Sequence, residues 1–330
     1  MAADADSTWF LPLGGCGEIG MNLNLYSHNG RWLMIDCGIT FEQQHGSTTG
    51  RPVIQRPDPR FIPSRRQLLD GLIVTHAHED HLGAIPHLWQ QLGCPIYTTP
   101  FTAAVLRRKT SWRGSRRPDN LVEVTPGQRH RLGVFDVEWL PLTHSTPETC
   151  ALHIRSGQRR ILHTADWKID PRPVVGRAWQ PKDWRGMGID GVDAVICDST
   201  NALQPGHSPS EGDVADGLLH AIAPLTGKVV VACFASNVAR LQSVLRIADA
   251  THRRAALLGR SLDNMHRCAR ASDLLDKRFK PIDPQHLEYL PRQEVLALAT
   301  GSQGEVGAAL HRLGMDSHPH LSVGEGDTVI

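Results

Sequence analysis

Through the first two hundred residues, apolar positions come in short runs, and several of these end on a polar residue able to do chemistry. Trp9 to Leu13 runs into a glycine-rich turn, and Asn22-Leu23-Asn24-Leu25-Tyr26 alternates as a strand. Arg31 to Ile35 is an apolar strand ending at Asp36, and Leu72-Ile73-Val74 ends at Thr75-His76-Ala77-His78-Glu79-Asp80-His81. Phe135 to Leu140 alternates and leads to His144, Arg160-Ile161-Leu162 leads to Asp166, and Val192 to Ile196 leads to Asp198. Period-two alternation and short apolar runs predict strands. Leu82 to Leu92 has helical spacing stopped by Gly93, and Pro95 to Thr99 resumes as a strand. The Pro, Gly, Arg and Gln-rich stretch from Gln43 to Pro63 reads as a long surface loop.

Beyond Asn201 the texture changes. The pattern predicts a helix over Ser210–His220, a strand over Lys228–Cys233, a helix over Val238–Ala250 and a strand over Ala255–Leu258, an α/β alternation with a parallel sheet. Two domains follow, 1–205 and 206–330, which suits a chain of 330 residues.

The densest chemistry is at residues 75–81. An extended backbone through His76-Ala77-His78 points both imidazoles to one side, and Asp80 and His81 follow where the chain turns into a helix. Zinc takes imidazole and carboxylate ligands, so H-x-H-x-D-H offers two adjacent half-sites rather than one closed site. His144 and Asp166, each after a predicted strand, are candidate ligands brought in from elsewhere. Asp36 is either a solvated strand cap or a carboxylate that orients the ligand imidazoles.

Two other stretches invite a function. Gly15, Gly17 and Gly20 meet a G-x-G-x-x-G spacing, yet a strand follows rather than a helix, so the context of a dinucleotide loop is missing. Residues 107–117 hold six cations and a tryptophan with no acid, which suits either a phosphate-backbone contact or a solvated helix end. In the second domain Phe234-Ala235-Ser236-Asn237, Gly259-Arg260-Ser261 and residues 299–305 follow predicted strands. Their small polar residues and arginine suit phosphate binding at helix N-termini or plain helix capping.

Charge excludes little and cysteine usage more. Lys plus Arg is 35 against 34 acids, a formal charge of +1, so no global field favours nucleic acid or membrane. Seven scattered cysteines with no C-x-x-C pair argue for a reducing cytoplasm, and no run approaches the ~20 apolar residues of a membrane span. A cytoplasmic protein is expected.

Together the stretches Gly14 to Asn22, Asp36-Cys37-Gly38, 76–81, His144-Ser145, Thr164-Ala165-Asp166, Asp198 to Asn201, Phe234 to Val238, Gly259-Arg260-Ser261 and Ala299 to Glu305 resemble the metallo-β-lactamase-fold nucleases with a β-CASP domain, most closely the ribonuclease J group. The resemblance implies an αββα sandwich interrupted by an inserted α/β domain, with single-stranded RNA bound between them. It implies two Zn2+ ions, one held by His76, His78 and His144, the other by Asp80 and His81, with Asp166 bridging and Asp36 in support. The implied reaction is endonucleolytic or 5′-exonucleolytic hydrolysis of RNA by a hydroxide shared between the metals. Asp80 would orient it, Asp198 would be a further acid near the centre, and Ser236, Asn237, Arg260 and Ser261 would contact RNA. Homodimers are common among such proteins.

The family pattern also includes H-x-S-G-H and H-G-E segments that would follow Ile330, and no histidine after residue 200 sits in either. The chain is therefore expected to be truncated, with its α/β domain and the first domain's sheet incomplete, one zinc site complete and the other a ligand short. Loss of a positioned general acid would slow the reaction by ~10²–10⁴. Two alternatives stand beside the nuclease: a small-ester or thioester metallo-hydrolase on the same scaffold, and a catalytically impaired RNA-binding relative.

Overall fold

The computed structural model describes residues 7–42, 53–112 and 120–330. Their contacts divide the chain into two compact units. One comprises Met1–His144, Glu148–Ile169 and Ala178–Gly206, the other Ser145–Pro147, Asp170–Arg177 and His207–Ile330.

The first unit begins with β1 (Thr8–Gly14), β2 (Leu23–His28) and β3 (Arg31–Ile35), an antiparallel meander, followed by a small hairpin of β4 (Thr40–Glu42) and β5 (Val53–Gln55). Then β6 (Leu69–Ile73), β7 (Ile96–Thr98) and β8 (Leu121–Glu123) add in parallel, giving a six-stranded sheet of order β1-β2-β3-β6-β7-β8. A second sheet has the order β13-β12-β11-β10-β9. Its strands are β9 (Arg129–Leu132), β10 (Phe135–Pro141), β11 (Cys150–Ser156), β12 (Arg159–His163) and β13 (Ala194–Ile196). The sheets pack face to face through Tyr26, Ile35, Ile73, Phe135, Val137, Trp139, Leu152 and Ile154, all essentially inaccessible.

Helices cover the outer faces. α1 (Glu79–Leu82), α2 (Ile85–Leu92) and α3 (Pro100–Trp112) lie between the strands of the first sheet in sequence, and α4 (Arg185–Asp190) follows β12. Leu140, Leu142, Ala151 and Leu162, on the outer face of the second sheet, pack against Trp179, Trp184 and Met187. The layering is αββα.

Two expectations change. The helix over Leu82–Leu92 is two helices, because Pro86 has no N–H to donate to the carbonyl of Leu82 and starts a new helix instead. Gly93 ends it in the left-handed conformation (φ 64°). Within the expected loop 43–63, Val53–Gln55 pairs with β4, Ile54 standing opposite Phe41, while residues 43–52 lie outside the described residues.

The second unit carries a parallel sheet of order β15-β16-β14-β17, from β14 (Val229–Ala232), β15 (Arg254–Leu258), β16 (Val295–Ala299) and β17 (Thr328–Val329). The helices α5 (Glu211–Ile222), α6 (Val238–Ala250), α7 (Arg260–Ala271) and α8 (Ala309–Gly314) alternate with the strands. All five residues of β16 are buried, the continuous apolar pattern of a strand covered on both faces. Among the described residues no helix is long and apolar enough to cross a membrane.

The sandwich depends most on its large buried aromatic. Trp139→Ala should destabilise the first unit by about 3–5 kcal/mol in chemical denaturation, the cost of truncating a buried aromatic. A change within about 0.5 kcal/mol, the range of ordinary surface substitutions, would contradict this packing.

Candidate metal centre

Strand ends of the first unit deliver the polar residues to one place. β6 leads into Val74 and Thr75, His76 follows, and His78 is the residue before α1, in which Asp80 and His81 lie. His144 follows β10 and Asp166 follows β12, and the two loops are joined by a bridge between Thr143 and Lys168. Their hydrogen bonds are Lys168 N–H to Thr143 O (2.9 Å) and Thr143 Oγ1–H to Lys168 O (2.5 Å). Asp36 follows β3 in the left-handed region (φ 61°), as does Ala165 (φ 50°) immediately before Asp166. Such backbone costs of order 1–3 kcal/mol per residue and marks positions that the surrounding structure holds by force.

The donor atoms form two groups that share Asp166. In the first are His76, His78, His144 and Asp166; in the second are Asp80, His81 and Asp166, the atoms of each lying within 4.8 Å of one another. His76 Nε2 is 3.1 Å from His78 Nδ1, which is 3.3 Å from His144 Nε2. Asp166 Oδ2 lies 3.9 Å from His76 Nε2 and 3.7 Å from His144 Nε2. Donors around a tetrahedral zinc, with bonds of about 2.0–2.1 Å, stand about 3.3 Å apart, so the first group fits such an ion. In the second, His81 Nε2 lies 3.3 Å from Asp166 Oδ1 and 3.4 Å from Asp80 Oδ2. One carboxylate thus offers an oxygen to each group.

Asp36 holds the arrangement from beneath. Its carboxylate accepts from Thr75 N–H (2.8 Å), from the Thr75 hydroxyl (2.9 Å) and from His81 Nδ1 (2.7 Å), all buried. A proton on Nδ1 leaves Nε2 as the nitrogen that could coordinate an ion. Asn22, which ends the glycine-rich turn, donates from Nδ2 to Asp80 Oδ2 (3.4 Å) and lies 3.1 Å from His81 Nε2. Thr75, Asn22 and the buried pair Tyr26 Oη–His163 Nδ1 (3.0 Å) were not singled out from sequence. Their partners are remote along the chain.

The two groups differ electrically. Burial, reinforced by the neighbouring rings, holds His76 far below the ordinary imidazole range. It brings His78 down to about 3 and His144 to about 4, against the pull of Asp166. His81 goes the other way: burial disfavours its charge, but Asp36, Asp166 and Asp80 outweigh that and raise it well above the usual value. Burial works against ionisation of Asp166 and Asp80 too, yet His81 keeps Asp166 at about 2 and Asp80 below its usual value.

The other sequence candidates sit elsewhere. Asp198 N–H donates to Thr164 Oγ1 (3.1 Å), and its Oδ1 accepts from the N–H (2.9 Å) and hydroxyl (2.7 Å) of Thr200, so its carboxylate joins neither donor group. In the second unit Asn237 caps α6 by accepting from Arg240 N–H (2.8 Å) and donates to Glu211 (3.3 Å). Ser236 precedes it, and Arg260 and Ser261 open α7, at the carboxyl ends of β14 and β15, the two parallel strands that flank β16. Of the basic run, Arg107 pairs with Glu123 and Lys109 with Glu79, while Arg113, Arg116 and Arg117 lie outside the described residues.

Comparison with known proteins also finds two domains, with their boundary near residue 226 rather than at residue 206. Residues 31–227 match the β-lactamase superfamily domain and residues 226–330 the ribonuclease J β-CASP domain. The chain is 40% identical over 334 residues to ribonuclease J of Sinorhizobium meliloti, covering 100% of this chain and 58% of that protein. It is 40% identical over 323 residues to ribonuclease J of Mycolicibacterium smegmatis (96% and 56%) and 34% identical over 334 residues to that of Thermus thermophilus (98% and 57%). The chain therefore spans less than two thirds of the length of these relatives. A solved protein of unknown function from Enterococcus faecalis V583 shares the fold, with a TM-score of 0.60 at 15% identity over 88% of this chain and 76% of that one.

The contrast between the groups predicts how protons accompany metal. At neutral pH the three imidazoles of the first group are already neutral, whereas His81 must give up its Nε2 proton before that nitrogen can ligate. Zinc titrations at pH 7 by calorimetry in buffers of different ionisation enthalpy should show one to two protons released per chain at saturation, one from His81 and up to one from a bound water. Release of three or four would contradict neutral histidines in the first group.

Proposed function

Because this chain belongs to the β-CASP, ribonuclease J-like family of the β-lactamase superfamily, we propose that it is a zinc-dependent ribonuclease that hydrolyses phosphodiester bonds of single-stranded RNA, as an endonuclease, a 5′-exonuclease or both. The observation that carries this reading is the position of Asp166, with one oxygen toward His76 and His144 and the other toward His81. A carboxylate so placed would be shared by two ions, which would supply the charge stabilisation that displacement at phosphorus needs. Divalent ions bound there supply Lewis acidity for the phosphoryl oxygens and lower the pKa of a bound water.

The side chains supply the rest. His76, His78 and His144 would hold one ion and Asp80 and His81 the other. The Asp80 carboxylate, partly open to solvent and kept ionised by His81, would orient the attacking water. Asp198, steadied by Thr200, is assigned as a further acid beside the reacting group. Asp36 fixes the tautomer of His81 throughout.

RNA is assigned to the second unit's loops. Three of them follow β14, β15 and β16 along one edge of a parallel sheet, where helix N-termini favour phosphate. Ser236, Arg260 and Ser261 would contact the backbone, and Asn237 would shape its loop and add a contact. All seven cysteines are free thiols, which supports a cytoplasmic setting.

Two assays test this reading. With 5′-monophosphorylated single-stranded RNA and zinc, the unsubstituted chain should cleave, and His78→Ala should slow cleavage by at least about 10²-fold, the scale of losing one positioned catalytic group. Intact RNA after prolonged incubation, together with RNA binding indifferent to His78→Ala, would refute the nuclease and favour the binding relative. Arg260→Ala should weaken RNA binding and reduce its salt slope by about one. An unchanged slope would remove Arg260 from the RNA contacts.

A further inference from the structure

His144 stands on the loop between β10 and β11, two strands paired as far as Pro141 and Cys150. Leu142 N–H donates to Thr149 O (3.0 Å), so residues 143–148 project beyond the last rung of the ladder. On one flank the bridge between Thr143 and Lys168 ties the loop to the segment that carries Asp166. On the other flank stands Glu148, whose backbone is left-handed (φ 57°), a conformation that residues other than glycine seldom adopt.

The Glu148 side chain reaches the start of α3. Its Oε2 accepts from Phe101 N–H (2.8 Å), and the Thr99 side chain adds a second hydrogen bond. Because α3 opens on Pro100, which has no N–H, the Phe101 N–H is the first donor of the helix left without an intrahelical partner. Glu148 therefore caps α3 from 47 residues away. The anchor is rigid, since Thr99, Phe101, Thr102 and Ala103 are all inaccessible to solvent. Burial raises the Glu148 carboxyl above its usual value, against the pull of Phe101 N–H and Thr99. A carboxylate withdrawn from water at that cost is matched to fixed donors instead.

What hangs on the loop is the third imidazole of the first group. His144 Nε2 lies 3.3 Å from His78 Nδ1 and 3.7 Å from Asp166 Oδ2. A shift of about 1 Å would take it out of the spacing that a zinc-sized ion asks of its donors. We propose that Glu148 is a positioning residue of the first ion: by capping α3 it fixes the far flank of the loop and so sets where His144 stands. This rests on the reading that His76, His78, His144 and Asp166 hold an ion.

The test is zinc binding by the full chain, titrated against a chromophoric chelator, with ions counted by elemental analysis and folding checked by circular dichroism. His144→Ala and His81→Ala assign the binding steps to the first and second ion. Glu148→Ala should weaken the first ion roughly 10-fold or more and leave the second unchanged. Glu148→Gly, which suits the left-handed backbone and removes the same carboxylate, should do likewise, and this arm stands even if the alanine variant fails to fold. Glu148→Gln keeps an oxygen for Phe101 N–H and should return the first ion to nearly the affinity of the unsubstituted chain. Unchanged first-ion affinity in a folded alanine or glycine variant overturns the proposal, as does equal weakening of both ions or a glutamine variant as weak as alanine. If the unsubstituted chain binds no zinc, or His144→Ala leaves every binding step in place, the ion reading itself fails whatever Glu148 does.

Discussion

The arrangement turns on one buried carboxylate. Asp36 is 1% exposed and accepts from the backbone and hydroxyl of Thr75 and from His81 Nδ1. An acid so placed is tolerable only when its oxygens are matched by donors, and three donors from the segment after β6 provide the match. The bond to His81 joins two segments 45 residues apart in sequence and fixes which imidazole nitrogen looks outward. Around it the backbones interlock: Cys37 N–H donates to His81 O (2.7 Å), Ile39 N–H to Glu79 O (3.0 Å) and Ala84 N–H to Cys37 O (3.0 Å). Gly38 is obligatory in this weave, since a Cβ there would lie 1.6 Å from the Asp80 carbonyl oxygen. The turn carrying Asp80 and His81 is thus set by backbone contacts before any ion arrives.

From that anchor the site divides into two electrical halves. Three imidazoles crowd together on the His76 side, where burial and mutual repulsion keep them neutral and their lone pairs available. On the other side His81 stands among Asp36, Asp80 and Asp166, which favour its protonated form. An ion entering there replaces a proton in an acidic nest, while one entering the first half meets ligands already in the right state. Asp166 belongs to both halves, which makes it the residue through which they communicate.

Much of this was legible in the chain, for a physical reason. Strands of a layered fold bring their ends to one edge, so residues such as His144 and Asp166 gain meaning from a strand that precedes them. Alternation marked β10, and a long amphipathic run marked α6. β11 escaped notice because Cys150–Ser156 is buried on both faces and lacks a two-residue period. α3 escaped because its C-terminal half carries the basic run, which drew attention to partners outside the protein while Arg107 and Lys109 pair with Glu123 and Glu79. Asn22 could not be placed from sequence, since it lies 58 residues from Asp80 and 59 from His81. Nor could sequence say that His76 would offer Nε2 where His78 offers Nδ1.

The central claim is that two ions sit side by side on a shared Asp166. Electron paramagnetic resonance of the manganese-loaded chain tests this most directly. The account predicts the signature of a spin-coupled pair, converted by Asp166→Ala into that of isolated ions. Isolated-ion spectra from the unsubstituted chain at full loading would contradict it.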